Sequence, residues 1–183
     1  MTQRDSGYNA GMRPIERRKS GATYADILAL PREVNGEIVD GDLYVSPRPS
    51  SAHAQAASVL LHDLKGPFDR GKGPGGWWIL VEPELHLGPQ VVVPDLGGWR
   101  REHMPILRRQ LHFTLAPDWA CEVLSPSTAR LDRLTKLRVY AAAGVGHVWL
   151  VDPEAQTIEV LRLAGDIYSL VTVASEEPKA RLE

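Results

Sequence analysis

Two acids stand where the chain otherwise wants a core. Asp95 closes the β-branched run Val91-Val92-Val93-Pro94-Asp95, and Glu122 is the single charge in the apolar stretch Trp119 to Leu124. A carboxylate in such a strand costs several kcal/mol to desolvate unless a cation or good hydrogen bonds compensate it. If neighbouring strands aim both acids at one cavity, their oxygens suit a hard divalent cation, Mg²⁺ above all, or Mn²⁺ in its place. The third element is Lys136, on a helix that follows the Glu122 strand. Thr128, Asp132, Lys136 and Tyr140 recur every four residues as a polar stripe beside leucines. A lysine reaching a two-acid metal site would orient or deprotonate a water for attack on phosphorus. Each residue also has a plainer explanation. Asp95 before Leu96-Gly97-Gly98 is good turn chemistry, Glu122 is a salt-bridged strand acid, and Lys136 with Asp132 is an exposed helix pair worth about 0.3–0.5 kcal/mol. His53 near a helix start reads as a surface or capping residue, and Cys121 as a small core hydrophobe.

These side chains need strands and helices to carry them. Thr23 caps a short helix through Tyr24, Ile27 and Leu28 that must stop before Pro31. Gly36 to Val45 reads as a hairpin, because Asp40-Gly41 accepts the positive φ angles of a type I′ turn. From Ala52 to Leu64, Ala52, Ala56, Val59, Leu60 and Leu64 recur at helical spacing until Gly66-Pro67. A glycine-rich loop, Gly71 to Gly76, precedes a strand from Trp77 to Leu87 that bends at Pro83 and keeps Trp78, Leu80, Glu82, Glu84 and His86 on one side. The short Asp95 strand stops at Gly97-Gly98, and Arg100 to Arg109 forms a basic connector to the Glu122 strand. The next helix begins at Thr128, buries Leu131, Leu134, Leu137 and Ala141, and ends at Gly144. Val148 to Val151 is a strand, and Thr157 to Leu163 with Tyr168 to Val173 make a terminal hairpin about Gly165-Asp166. Such an order gives an α/β (α+β) protein with a mixed sheet flanked by helices.

Length and composition fit that outline. At 183 residues the chain is one domain by size, here residues 22–174, between a flexible N-terminal tail (1–21) and a frayed C-terminal tail (175–183). A charged fraction of 24% beside 43% apolar residues excludes a wholly disordered or coiled-coil chain. No run approaches the ~18 apolar residues of a membrane span, and no secretory signal pattern opens the sequence. One cysteine permits no internal disulfide, so a cytoplasmic location is expected. The net charge of −2 does not advertise a general nucleic-acid binder, so any phosphate-binding strip must be local. Arg100, Arg101, Arg130 and Arg133 flank the two acids in sequence and would supply it if they share a face.

Taken in order, Val93-Pro94-Asp95, the run Pro117-Asp118-Trp119-Ala120-Cys121-Glu122-Val123-Leu124-Ser125-Pro126-Ser127-Thr128, Asp132, Lys136, Tyr140, Gly144-Val145 and Trp149-Leu150-Val151-Asp152-Pro153 resemble the Uma-type restriction endonuclease family, part of the PD-(D/E)XK nuclease superfamily. The resemblance spans roughly Tyr24 to Leu163 and includes Glu37 to Gly41 and Ser46-Pro47. It implies a restriction-endonuclease-like αβββαβ core, to which N- and C-terminal hairpins would be additions. It also implies Asp95 and Glu122 as metal-binding acids, and metal-dependent hydrolysis of DNA phosphodiesters by a homodimer. The superfamily's lysine stands two residues after the second acid, where this chain has Leu124, and the resemblance moves that role to Lys136. Glu82 and Glu84 share strand parity and are further candidate ligands. Glu37 and His53 join them because the resemblance places their elements near the mouth of the site. Two other readings stay open: a catalytically inactive nuclease-fold binding module, and a metal-dependent hydrolase of another phosphate ester.

Overall fold

In the computed structural model, which describes residues 15–70 and 74–175, two sheets diverge from a shared seam and the acids sit at that seam. In chain order the strands are β1 (Glu16–Ser20), β2 (Val34–Val39), β3 (Asp42–Pro47), β4 (Trp77–Val81), β5 (Leu85–Leu87), β6 (Gln90–Val92), β7 (Leu96–Arg100), β8 (Trp119–Val123), β9 (His147–Asp152), β10 (Thr157–Ala164) and β11 (Ile167–Ser175). Helices α1 (Tyr24–Leu28) and α2 (Ser51–Leu64) precede β4, and a π-helical turn, Lys65–Asp69, extends α2. Between β8 and β9, α3 (Ala129–Leu131), a second π-helical turn (Asp132–Lys136) and α4 (Leu137–Ala142) follow without a break. The small sheet has the order β1-β3-β2-β6-β5 and the large one β11-β10-β9-β8-β7-β4. In the large sheet β8 and β9 run parallel and the other neighbours antiparallel. The succession α2, β4, β7, β8, α3–α4, β9 is the expected αβββαβ core, and the protein is α+β. Residues 1–14 of the expected tail, 71–73 of the glycine-rich loop and 176–183 of the C-terminus lie outside the described residues.

Each face of the large sheet has its own core. Cys121 and Val123 of β8 join Ile79, Leu96, Trp119 and Val151 beneath Ala56, Ala57, Leu60, Leu61 and Leu64 of α2. Ala120 points the other way, into a larger cluster with Val139, Tyr140, Val145, Val148 and Leu150. Because strand side chains alternate, Glu122 shares the Ala120 face and is directed towards the α3–α4 helix. No described helix is long and apolar enough to cross a membrane.

Several expectations change. The Trp77 to Leu87 run is two strands in different sheets, because Glu82 takes a left-handed conformation (φ 44°) and Pro83 has no N–H for a ladder. Shared strand parity of Glu82 and Glu84 is lost with it. Gly97-Gly98 does not stop the Asp95 strand; β7 begins after Asp95 and runs through both glycines. They are there for space: a Cβ at Gly97 would lie 2.7 Å from the Pro83 ring, and one at Gly98 2.9 Å from Trp119. Residues 16–20 of the expected tail pair with β3 as β1. On α2, Ala52 and Val59 face solvent, and the inward face runs from His53 through Ala57, Leu60 and Leu64. On the later helix Leu134 is 58% exposed, while Asp132 and Lys136 are buried beside Val139 and Tyr140. The wide π-helical turn lies at this place, and the polar stripe becomes the inward stripe. The Asp40-Gly41 turn, α1, the Gly144 cap and the Gly165 hairpin form as the sequence predicts.

Candidate active site

Two chain crossings build the site. The chain leaves the large sheet for the small one through Glu82-Pro83-Glu84, and returns through Val93-Pro94-Asp95. They are tied together by the Glu82 N–H donating to the Asp95 carbonyl at 3.0 Å. A cavity opens beside this seam, lined by Glu37, Glu82, Asp95, Glu122, Asp132 and Lys136, with His53, Arg48, Ser125, Ser127 and Thr128 also in its wall.

Every buried charge in it has a partner. The Val123 N–H donates to Asp95 Oδ2 at 2.7 Å, fixing the end of β7 against β8, and His53 Nε2 lies 3.2 Å from Asp95 Oδ1. Glu37 Oε1 accepts from the Val93 N–H at 2.8 Å. Lys136, 2% exposed, sets its Nζ 2.7 Å from Glu122 Oε1, 2.9 Å from Glu37 Oε1 and 3.6 Å from Asp132 Oδ1. It also donates to the Val93 carbonyl at 3.3 Å. The Tyr140 hydroxyl donates to Glu122 Oε1 at 2.5 Å. Both contacts to Glu122 thus fall on Oε1 and neither on Oε2.

Charge in this cavity is out of balance. Burial alone would depress the Lys136 ammonium, but the carboxylates of Glu122 and Glu37 together outweigh it and raise it well above the usual range. Lys136 is therefore a fixed cation and no proton acceptor. One ammonium cannot neutralise all the acids around it. Burial raises Glu122 well above the carboxylate range; Lys136 opposes this, and Asp132, Asp95 and Glu37 add to it. Asp132 is pushed up to about 6, by burial first, with Lys136 lowering and Glu37 raising. For His53, burial disfavours the imidazolium, yet the hydrogen bond and charge of Asp95 lift it above its ordinary value. A surplus of buried carboxylate oxygens beside one lysine is a donor set that fits a hard divalent cation. Burial also pushes the Cys121 thiol up, so it is core and not a nucleophile.

The Asp132 shift carries a stability consequence. A carboxyl held at about 6 when folded, against its ordinary 3.8, binds more protons in the folded state than in the unfolded chain. Its contribution is present below pH 4 and is lost as pH rises through 6, by up to about 3 kcal/mol. Urea unfolding in EDTA should show this fall between pH 4 and 7, and Asp132→Asn should make it shallower, the remainder belonging to Glu122, whose carboxyl is raised in the same direction. An equal slope in the variant would mean that Asp132 titrates normally.

Asp95, Glu122, Lys136, Glu37, His53 and Glu82 thus meet in one cavity. Glu84 does not: its carboxylate faces α1, accepting from the Tyr24 hydroxyl and His86 at 2.7 Å each. The predicted arginine strip also breaks up. Arg100 ends β7 and Arg101 follows it, at the end opposite Asp95 and roughly 15 Å along the strand. Arg100 stacks on Trp77, while Arg101 lies over Trp78 and bonds Asp69 and the Trp77 carbonyl. Arg133 forks onto Glu159 at 2.8 and 2.6 Å. Arg130 is exposed, two residues beyond Thr128 of the wall. The sequence reading did not single out Arg48 at the rim, and the plainer alternative it held for Asp132 and Lys136, an exposed pair, is excluded because both are buried. Four-residue spacing aligned Asp132 and Lys136 with Tyr140, but only the direction of Glu122 decides that this face turns inward.

The family model Uma2, described as "Putative restriction endonuclease", matches residues 23–183. A search of curated proteins finds no match. Among solved structures, a putative nuclease belonging to DUF820 from Anabaena variabilis ATCC 29413 is similar at 23% sequence identity. The match covers 88% of this chain and 88% of that one, with a TM-score of 0.70. That likeness carries the fold, and the match along nearly the whole described chain carries the family: this protein belongs to the Uma2 family.

Proposed function

We propose that the protein is a Mg²⁺-dependent endonuclease that hydrolyses DNA phosphodiester bonds, with Asp95, Glu122 and Lys136 as its catalytic set. One observation carries this reading: three charged residues from β8, a helix and the seam between sheets converge in one cavity whose acids outnumber its cations. Asp95 and Glu122 would hold the metal, with Glu82 at the rim as a further carboxylate. When bound, Mg²⁺ supplies Lewis acidity at the phosphoryl oxygens. Lys136 holds Glu122 and Glu37 in place and adds a fixed positive charge where negative charge develops on the phosphate. His53 steadies the Asp95 carboxylate through Nε2. Arg48, exposed in the cavity wall, and Arg130, exposed two residues beyond Thr128 of that wall, are cations available to flanking phosphates. They replace the predicted Arg100, Arg101 and Arg133 in that role. Dimerisation finds support in β11, an edge strand that exposes Ile167, Leu170, Val171 and Val173.

The test is incubation of purified protein with supercoiled plasmid in Mg²⁺, Mn²⁺ or EDTA, beside single-stranded DNA and RNA. Metal-dependent nicking that EDTA abolishes is the expected result. Failure of the folded protein to cut any substrate with either metal would overturn the nuclease reading. A non-catalytic binding module or a hydrolase of smaller phosphate esters would then take its place. Leu124, buried in the core, is the feature those readings would draw on.

A further inference from the structure

The Glu84 that leaves the active site falls into a second cluster. β5 and the segment around Phe113 lie side by side: the His86 N–H donates to the Phe113 carbonyl and the Phe113 N–H to the Glu84 carbonyl, each at 2.8 Å, with a parallel bridge between Leu85 and Phe113. Leu85 and Phe113 point into the core. Their neighbours therefore point outward, so Glu84, His86 and His112 share one face by alternation. Their ligand-type atoms all lie within 4.8 Å of one another. The two imidazoles stack with centroids 3.9 Å apart, and Tyr24 of α1 stands edge-on to His86 with its hydroxyl on Glu84. His112 Nδ1 is buried and has no hydrogen-bond partner among the described residues.

We propose that Glu84, His86 and His112 form a transition-metal site, separate from the nuclease cavity and selective for Zn²⁺-like ions over Mg²⁺. Two imidazoles and one carboxylate are a borderline-soft donor set of the kind that zinc accepts, whereas Mg²⁺ takes oxygen ligands and keeps its waters. Glu84 Oε1 and His86 Nε2, 2.7 Å apart, already stand closer than the ~3.3 Å that two ligands at ~2.0 Å span around a tetrahedral ion. To admit one, the two imidazoles, now stacked with their planes 14° apart, turn so that their nitrogen lone pairs converge on it. None of the three residues lines the nuclease cavity. The ion would join β5 to the 112–113 segment, with α1 packed over it through Tyr24. Its role is thus to clamp the outer layer of the small sheet, and no bond is made or broken there.

Co²⁺ is the spectroscopic probe and Zn²⁺ the competitor, both added to the full chain in millimolar Mg²⁺ so that hard-ion sites are occupied. One equivalent of Co²⁺ giving tetrahedral-type visible absorption, displaced by Zn²⁺, is expected in the wild type. The same spectrum should persist in Asp95→Asn, which separates this site from the nuclease centre. His112→Gln, on an irregular and partly exposed segment, should weaken Co²⁺ binding at least ~100-fold while circular dichroism stays unchanged. His86→Asn should do the same. If either variant fails to fold, the other carries the comparison. Loss of the spectrum in Asp95→Asn, its survival in the histidine variants, or no Co²⁺ bound by the wild type would each overturn the assignment.

Discussion

Asp95→Asn is expected to lower Mg²⁺-dependent plasmid nicking by at least ~100-fold while leaving the fold intact. The size follows from what the charge does: losing one preorganised electrostatic group at a reacting centre costs on the order of 10²–10³ in rate. The substitution is nearly isosteric. The asparagine carbonyl can still accept the Val123 N–H that Asp95 Oδ2 accepts at 2.7 Å, so the β7–β8 junction survives. Only the negative charge facing His53 and the cavity is removed. Two readouts separate this from a structural effect. The melting temperature in EDTA should stay near that of the wild type, and Mn²⁺ binding, followed by its electron paramagnetic resonance signal, should weaken at least ~10-fold. Wild-type rates in the variant would remove Asp95 from the chemistry. Lost cleavage with unchanged Mn²⁺ affinity would make it a residue that places substrate.

Why Asp95 was visible in the sequence, and Lys136 only through family resemblance, has a physical reason. Local chemistry announces itself: Asp40-Gly41 specifies its turn, Gly144 its cap, and an acid in the doubly buried β8 stands out because nothing apolar explains it. The αβββαβ order was legible in outline, since α2, β4, β8, the α3–α4 helix and β9 carry their own periodicity, but β7 begins where the Asp95 strand was expected to stop. What one residue's neighbours cannot show is which face of a helix meets which sheet. Leu134 looked buried and Lys136 exposed by composition, but the inward face is chosen by the carboxylates of Glu122 and Glu37, which lie far away in sequence. The arginines scatter for the same reason: Arg101 and Arg133 are neighbours of the acids along the chain, yet they pair with Asp69 and Glu159. Trp77 to Leu87 misled because a strand pattern continues in sequence across Glu82-Pro83 while the chain changes sheets.

Lys136→Met should destabilise the protein by about 3–5 kcal/mol in EDTA, the cost of removing one partner from a buried ion pair. For a chain of this size that is a fall of roughly 6–20 °C in melting temperature. Methionine fills most of the lysine's volume, so the loss isolates charge; Lys136→Ala, which also leaves a cavity, should fall further. What is stranded is specific. Glu122 would retain only the Tyr140 hydroxyl, and Glu37 only the Val93 N–H, among the contacts described above. Neutralising Glu122 in the same chain should therefore restore part of the loss, so that Lys136→Met with Glu122→Gln is more stable than the sum of the two changes by about 0.5–3 kcal/mol. Recovery stays partial because Glu37 and Asp132 also face the vacated position. A divalent cation offers a second form of rescue. Since the variant holds more uncompensated carboxylate than the wild type, saturating Mg²⁺ should raise its melting temperature more than it raises that of the wild type, while nicking activity stays depressed. A Lys136→Met protein as stable as the wild type, with no coupling to Glu122→Gln, would mean that the lysine does not balance these acids. Its place in the catalytic set would then be lost as well.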